Sequence, residues 1–207
     1  MVEQKHFTQD EIYIPNEEDW NTKFFHKWAR RYFREYPRIL ETVLDIGPKK
    51  SPSVDYRNGE GVFLYGDLGA GKTITAARMI LDFQKQLYLN RDEANKTVLF
   101  TKTPKLLHRI KNTYNKDSGI QETEASIIKA HQTADFLVLD EFGMSKTSEW
   151  LLELLYLIVD HRYDSKLPTV FTSNYNLDQI AEILGDERIS SRIQRSCRVI
   201  RKKPWDM

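Results

Sequence analysis

Residues 66–73 decide the fold of this chain, and they read Gly66-Asp67-Leu68-Gly69-Ala70-Gly71-Lys72-Thr73. The run matches the P-loop pattern G-x-x-x-x-G-K-[ST], a loop that binds phosphate. An apolar run at residues 61–65 predicts a strand before it, and residues 72–88 follow with the period of a helix. This order of strand, loop and helix predicts a nucleotide site rather than an ordinary glycine turn.

The loop residues suit the phosphates of ATP for physical reasons. Glycines let backbone N–H groups turn inward, and the start of the helix adds the positive end of its dipole. We expect Lys72 to reach the β and γ phosphates and the hydroxyl of Thr73 to bind the accompanying Mg²⁺. The predicted ATP contacts are Gly66, Asp67, Leu68, Gly69, Ala70, Gly71, Lys72, Thr73 and Ile74.

Two adjacent carboxylates follow a second apolar run. Residues 136–139 read Phe-Leu-Val-Leu, and Asp140 and Glu141 come next. In a parallel sheet the carboxyl ends of the strands carry the ligand chemistry. We expect Asp140 to hold Mg²⁺ and Glu141 to polarise the attacking water as a general base, which favours hydrolysis over mere binding. The alternative is a solvated acidic turn.

Polar groups also follow a third apolar run, residues 169–172. Asn174 is placed either to hydrogen-bond the γ-phosphate or the lytic water, or to cap a turn before the next helix. Farther along, Arg188 and Arg192 are four residues apart and share one face of a helix. They either close the domain or reach a neighbouring subunit as an arginine finger. The alternative is a basic, solvated face that continues to residue 203.

Strands and helices alternate along the chain. The pattern predicts strands at residues 61–65, 97–101, 135–139 and 169–172, with helices between them. Such alternation implies right-handed crossovers and therefore an α/β fold with a parallel sheet flanked by helices.

Aromatic residues recur every four positions near the N-terminus, at Trp20, Phe24, Trp28, Tyr32 and Tyr36. Basic residues lie between them, so the pattern predicts an amphipathic helix that Pro37 interrupts. Its aromatic stripe is expected either to pack on the main domain or to contact a partner. We predict an N-terminal arm with this helix in residues 1–52 and an ATPase domain in residues 53–207.

The composition excludes several classes of protein. With 31 basic and 30 acidic residues among 207, the formal net charge is +1, so attraction to nucleic acid depends on where the charges lie. The one cysteine, Cys197, cannot form an internal disulfide or a metal cluster. No apolar run approaches the roughly 20 residues needed to cross a bilayer, so we expect a cytoplasmic protein without membrane contact.

Taken together, four motifs resemble one family. They are GDLGAGKT (66–73), FLVLDEFG (136–143), TVFTSN (169–174) and GDERISSRI (185–193). In this order they resemble the AAA+ ATPases of the DnaC and IstB type, which include bacterial and phage replicative helicase loaders. The resemblance covers residues 54–200. It implies a three-layer P-loop NTPase fold of the AAA+ kind, with a short helical N-terminal extension and no C-terminal lid domain.

The resemblance also implies roles for three residues. Asn174 becomes the sensor-1 residue, and Arg192 becomes the arginine finger that acts on ATP held by the adjacent protomer. Arg188 is expected near the same interface. Self-association into a ring or spiral, such as a hexamer, would then be required for full activity.

Loaders of this family surround single-stranded DNA, and four residues here are candidates to contact it. Their positive charges would neutralise phosphates, and their aromatic ring would stack on a base. The alternative is an ordinary solvated helix face. The candidates are Lys105, Arg109, Lys111 and Tyr114.

The leading hypothesis is an ATP-dependent loader that delivers a DnaB-type replicative helicase to single-stranded DNA. One alternative is an IstB-like transposition ATPase, which would bind duplex DNA and a transposase. Another is a non-motor protein that binds and inhibits a host helicase or loader, although the intact Lys72, Asp140 and Glu141 favour an enzyme. Loaders usually carry a separate helicase-binding domain, sometimes with zinc, where this chain has a short lead and no zinc is expected. The compact size suits a phage or a mobile element.

Overall fold

A computed structural model of the chain describes residues 17–48, 52, 55–92, 96–114, 122–144 and 148–203. The part of the predicted arm before residue 17 lies outside the described residues. No helix within these ranges is long and apolar enough to cross a membrane. Within the same ranges, three or more His, Cys, Asp or Glu side chains do not gather into a metal site.

Within the described ranges, the sheet contains five parallel strands, one more than the sequence predicts. In chain order they are β1 (Gly61–Gly66), β2 (Val98–Lys102), β3 (Phe136–Asp140), β4 (Thr169–Ser173) and β5 (Cys197–Lys202). Their order across the sheet is β2-β3-β4-β1-β5. All the pairs between neighbours are parallel, so the strands end at one edge of the sheet.

The strand that the sequence does not predict is β5, whose one partner among the described strands is β1. The sequence indicates only a basic, solvated face continuing to residue 203, and the structure shows that Cys197–Lys202 form an edge strand. The physical reason is burial: only Cys197 of β5 is buried, and Arg198, Val199 and Arg201 are exposed. An exposed edge strand lacks the apolar pattern that reveals an inner strand.

Helices cover both faces of the sheet. They are α1 (Glu17–Asp19), α2 (Phe25–Phe33), α3 (Pro37–Ile46), α4 (Lys72–Leu89), α5 (Thr103–Asn112), α6 (Glu124–Thr133), α7 (Glu149–Asp164), α8 (Leu177–Leu184) and α9 (Glu187–Ser196). Helices α2, α3 and α4 share a core with Val62 and Val138, and α5 to α9 share a second core with Phe63 and Leu137. The alternation of strand side chains between two cores confirms the predicted three-layer α/β fold.

The N-terminal helical segment packs on the main body through the predicted aromatic stripe and through neighbouring positions that are more deeply buried. A π-helical turn at Trp20–Phe24 joins α1 to α2 and adds a residue to the period. The buried positions are therefore Trp20, Phe25, Ala29 and Phe33, and the Trp20 ring contacts Tyr88 of α4. Packing thus accounts for these buried residues. The domain boundary at residue 52 stays a prediction.

A buried arginine joins the starts of β3 and β4 beneath the site. Arg162 of α7 donates hydrogen bonds to five acceptors, at 2.6 to 3.2 Å. The acceptors are the Thr169 hydroxyl and the carbonyl oxygens of His131, Gln132, Ala134 and Pro168. Burial lowers the pKa of Arg162 to about 9. This network holds in place the two strands whose far ends carry the acidic site.

Candidate active site

The phosphate-binding loop connects the end of β1 to the start of α4. Gly69 and Gly71 have left-handed backbones, with φ values of 78° and 73°. Gly66 has φ 141°, and a Cβ atom there would lie 2.1 Å from the carbonyl oxygen of Lys202 on β5. Only glycine fits at position 66, because β5 lies so close to it. The position of β5 therefore explains the first glycine of the loop.

The Lys72 side chain is buried inside the loop. Its Nζ donates hydrogen bonds to the carbonyl oxygens of Gly66 at 2.8 Å and Asp67 at 2.7 Å. Burial lowers the pKa of Lys72, against the effect of the negative charges of Asp67 and Asp140. The amine is thus held at the centre of the loop, where phosphate oxygens can replace the carbonyl oxygens as acceptors.

Asp140, at the end of β3, is fully buried. Its Oδ1 accepts hydrogen bonds from the hydroxyls of Thr73 at 2.8 Å and Thr172 at 2.6 Å. Its Oδ2 is buried with no hydrogen-bond partner among the residues described. Burial raises the pKa of Asp140, although the two hydroxyls oppose this. A buried carboxylate with one unsatisfied oxygen, beside a threonine hydroxyl, fits Mg²⁺, and Thr73 and Asp140 are the residues that would hold it.

Glu141 follows with a left-handed backbone, at φ 59°. Its N–H donates to the Thr172 hydroxyl at 3.0 Å, and its carboxylate accepts a hydrogen bond from Lys102 at 2.6 Å. Both partners of this ion pair are about one-third exposed. Burial acts to lower the pKa of Lys102, but the hydrogen bond and charge of Glu141 outweigh it and raise that pKa. The Glu141 carboxylate is therefore paired with the Lys102 ammonium group in this structure.

The loop and the ends of β3 and β4 line one cleft of about 380 Å³. Asn174 lies on its wall, and its Nδ2 donates to the Met144 sulfur at 3.5 Å. The predicted ATP contacts at residues 68–74 line the cleft. Thr42 of α3 also lines it, although the sequence does not indicate this residue. The cleft therefore combines inward backbone groups, a lysine and an acidic rim, which suits a nucleoside triphosphate with a divalent cation.

Arg188 and Arg192 lie together on α9, but away from this cleft. Arg188 forms ion pairs with Asp186 at 2.7 Å and Glu153 at 3.1 Å. Arg192 donates from Nε to Asp160 at 2.7 Å. The two guanidinium groups lie over the rings of Tyr156 and Tyr163 of α7, at 4.4 Å and 4.8 Å respectively. Neither arginine lines the cleft of its own chain, so any action on ATP requires another subunit's cleft.

Of the four predicted DNA contacts, Lys105 and Arg109 line one groove, whereas Lys111 and Tyr114 do not line it. Lys105 forms an ion pair with Glu35 at 3.1 Å, and Arg109 forms one with Glu122 at 2.5 Å. Tyr114 is 60% exposed, hydrogen-bonds Glu124, and packs its ring edge-on against Trp150 at 5.2 Å. Lys111 is exposed and, on the helical period, faces away from Lys105.

Sequence reasoning missed two residues that contact the acidic pair. The Thr172 hydroxyl joins Asp140 to the backbone of Glu141, and Lys102 binds the Glu141 carboxylate. Both residues lie at the carboxyl end of a strand, and Lys102 is the register partner of Asp140. The rule that ligand chemistry gathers at this edge of a parallel sheet could have identified them.

A family model and several known proteins are similar to this chain in sequence. A family model described as IstB-like ATP binding protein matches residues 51–203. The replicative helicase loader DnaI of Bacillus subtilis strain 168 is 27% identical over 123 residues, covering 59% of this chain and 35% of DnaI. The replicative helicase loader DnaC of Escherichia coli strain K12 is 30% identical over 129 residues, covering 62% of this chain and 48% of DnaC.

A solved structure shares the fold. The crystal structure of the DnaC helicase loader matches with a TM-score of 0.56 and 23% identity, covering 81% of this chain and 89% of that chain. The match to this chain spans about a third of the length of DnaI and about half that of DnaC. The resemblance indicated by the four motifs is confirmed. Since the family match covers well over half of the 207 residues, this chain belongs to the family of IstB-like ATP-binding proteins.

Proposed function

We propose that this protein binds ATP with Mg²⁺ and hydrolyses the ATP. The observation that carries the proposal is the buried Asp140, whose Oδ2 lacks a partner in the described part of the chain while Oδ1 holds the Thr73 hydroxyl. When bound, Mg²⁺ supplies positive charge to the phosphate oxygens. Lys72 binds the β and γ phosphates. Once the Glu141 carboxylate has separated from Lys102, it accepts a proton from the attacking water.

The proposed purpose of this hydrolysis is the loading of a DnaB-type replicative helicase during DNA replication. The support is the similarity to DnaI and DnaC, which are named replicative helicase loaders. In this proposal, ATP organises several copies into a ring or spiral. Asn174 senses the γ-phosphate within one subunit, and Arg192 of the next subunit completes the site.

Single-stranded DNA is the proposed substrate of the assembly, and Tyr114 is the sharpest test. We expect Tyr114→Ala to weaken binding of a labelled oligothymidylate by roughly 1–3 kcal/mol, because a base loses the exposed ring on which it stacks. Binding is measured by fluorescence anisotropy with ATP present. Tyr114→Phe is the matched control: it keeps the ring and removes only the hydroxyl that bonds Glu124. If the Ala and Phe variants bind equally well, Tyr114 does not stack on DNA.

A transposition ATPase is the second candidate, and the match to the IstB-like family favours it specifically. The two candidates differ in the nucleic acid that they engage. The same anisotropy titration with a duplex of equal length therefore separates them. Preference for the single strand supports the loader, preference for the duplex supports the transposition ATPase, and failure to bind either contradicts both.

Lys102 should restrain hydrolysis by holding Glu141. We expect Lys102→Met to raise the basal rate of ATP hydrolysis by up to about fivefold, because a partly exposed ion pair contributes at most about 1 kcal/mol. The rate is measured at saturating ATP without DNA. Lys102→Arg keeps the pair and should leave the rate unchanged. Lys102→Met added to Glu141→Gln should have no effect, and a lower rate for Lys102→Met alone would show that Lys102 assists catalysis instead.

A further inference from the structure

Among the residues that the structure describes, strand β2 is an edge of the sheet and has a neighbouring strand, β3, on one side. All five residues of β3 and of β4 are buried, whereas in β2 only Thr101 is, and Val98, Leu99 and Phe100 are partly exposed. The exposed edge lies beside a groove of about 390 Å³, lined by the end of α2, by α5 and by α6. An edge strand with apolar side chains and an adjacent groove is a template for another strand.

The backbone geometry indicates which groups are available. The N–H of Phe136 on β3 donates to the carbonyl oxygen of Thr97, and Val98 is the register partner of Phe136. In a parallel ladder this register directs the backbone groups of Leu99 toward β3. The N–H and C=O groups of Val98 and Phe100 consequently point away from β3, toward the groove.

The charges along the groove are mainly positive. Arg31, Arg34, Lys105 and Arg109 line it, with Glu35 as the acidic lining residue. Lys105 is paired with Glu35, and Arg109 is paired with Glu122. Arg31 and Arg34 are both exposed, and neither forms a salt bridge among the described residues. The Arg31 guanidinium lies over the Trp28 ring at 4.9 Å, so both cations are without a carboxylate among the described salt bridges and can bind an acidic ligand.

We propose that this groove binds an extended, acidic segment of a partner protein, which adds as a strand beside β2. The outward backbone groups of Val98 and Phe100 would form the ladder, and Arg31 and Arg34 would bind its carboxylates. A peptide fits better than a nucleic acid, because nucleic acid has no backbone N–H and C=O ladder to offer. The inference goes beyond the proposed function and needs no nucleotide.

Hydrogen exchange followed by NMR tests the ladder directly. The probe is a synthetic peptide in which Asp or Glu alternates with Val, and its counterpart has Lys in place of the acids. In the free protein, the amides of Val98 and Phe100 should exchange faster than those of Leu99 and Thr101, which face β3. The acidic peptide should slow exchange at Val98 and Phe100. Unchanged exchange with bound peptide would overturn the proposal, and so would protection by oligothymidylate in place of the peptide.

Charge reversal tests the recognition. Arg34→Glu should weaken binding of the acidic peptide by about tenfold, because attraction becomes repulsion at the groove. Arg30→Glu is the matched control, since Arg30 is exposed on α2, four residues before Arg34, and does not line the groove. Val98→Pro should also weaken binding, because it removes an outward donor and leaves the ladder to β3 intact. Equal affinity for the Lys peptide, or equal losses for Arg30→Glu and Arg34→Glu, would overturn the proposal.

Discussion

Replacing Glu141 by Gln is expected to lower the rate of ATP hydrolysis by about a hundredfold to ten-thousandfold while ATP binding is retained. The amide has nearly the shape of the carboxylate, and its oxygen can still accept the hydrogen bond from Lys102. It cannot take a proton from water, so the general base is lost and the P-loop is untouched. Steady-state phosphate release gives the rate, and a fluorescent ATP analogue gives the affinity.

Glu182→Gln is the matched control for this substitution. Glu182 is an exposed acid of α8 that does not line the cleft, so its replacement should leave the rate unchanged. If Glu141→Gln hydrolyses ATP as fast as the natural protein, another group is the base. If the natural protein binds ATP without hydrolysing it under any condition, the proposed ATPase function is contradicted. The hypothesis of an interaction protein that inhibits a helicase or loader then takes its place.

Replacing Arg192 by Ala is expected to lower the rate of hydrolysis by about a hundredfold to a thousandfold, the effect of removing a charge that stabilises the transition state. Arg192 lies on α9, away from its own cleft, and its Nε is bound to Asp160. Loss of this surface pair should cost at most about 1 kcal/mol of folding free energy, so the variant should remain folded. Rates are measured over a range of protein concentrations, where the natural protein should show a more than linear increase.

Mixing the two inactive variants separates action on a neighbour from action within one chain. A Glu141→Gln subunit still carries Arg192, and an Arg192→Ala subunit still carries Glu141. A mixture should therefore regain activity that neither variant has alone. Arg195→Ala, an exposed arginine on the same helix, serves as the control and should be fully active alone. A mixture that stays inactive would contradict the proposed arginine finger in trans.

The inner strands and the P-loop were predictable because burial and chemistry leave clear patterns in the sequence. β3 and β4 are buried along their whole length, so their residues form continuous apolar runs, and the glycines of the loop follow a fixed spacing. The edge strand β5 was not predictable in this way. β5 lies at the edge of the described sheet and most of its residues are not buried, so arginines stand where an inner strand would have apolar residues.

Features that depend on long-range contacts were also beyond the sequence. The π-helical turn at Trp20–Phe24 moves the buried stripe by one residue, and a four-residue period cannot show where such a turn occurs. The contact between Lys102 and Glu141 joins residues 39 positions apart. It becomes visible only when β2 is known to lie beside β3. The apolar run before Asp140 and Glu141 identified the two acidic residues, but it did not indicate that Lys102 binds Glu141.

The left-handed backbone of Glu141 has a consequence for how this chain can change over generations. A side chain in that conformation costs roughly 1–2 kcal/mol that glycine would not incur. The native residue is therefore a poor choice for stability at its own position. If the proposed hydrolysis of ATP were no longer selected in a descendant, selection for a more stable protein would favour Gly or Asn there. Loss of the acid at this position would then mark the loss of the proposed ATPase activity before the fold itself is lost.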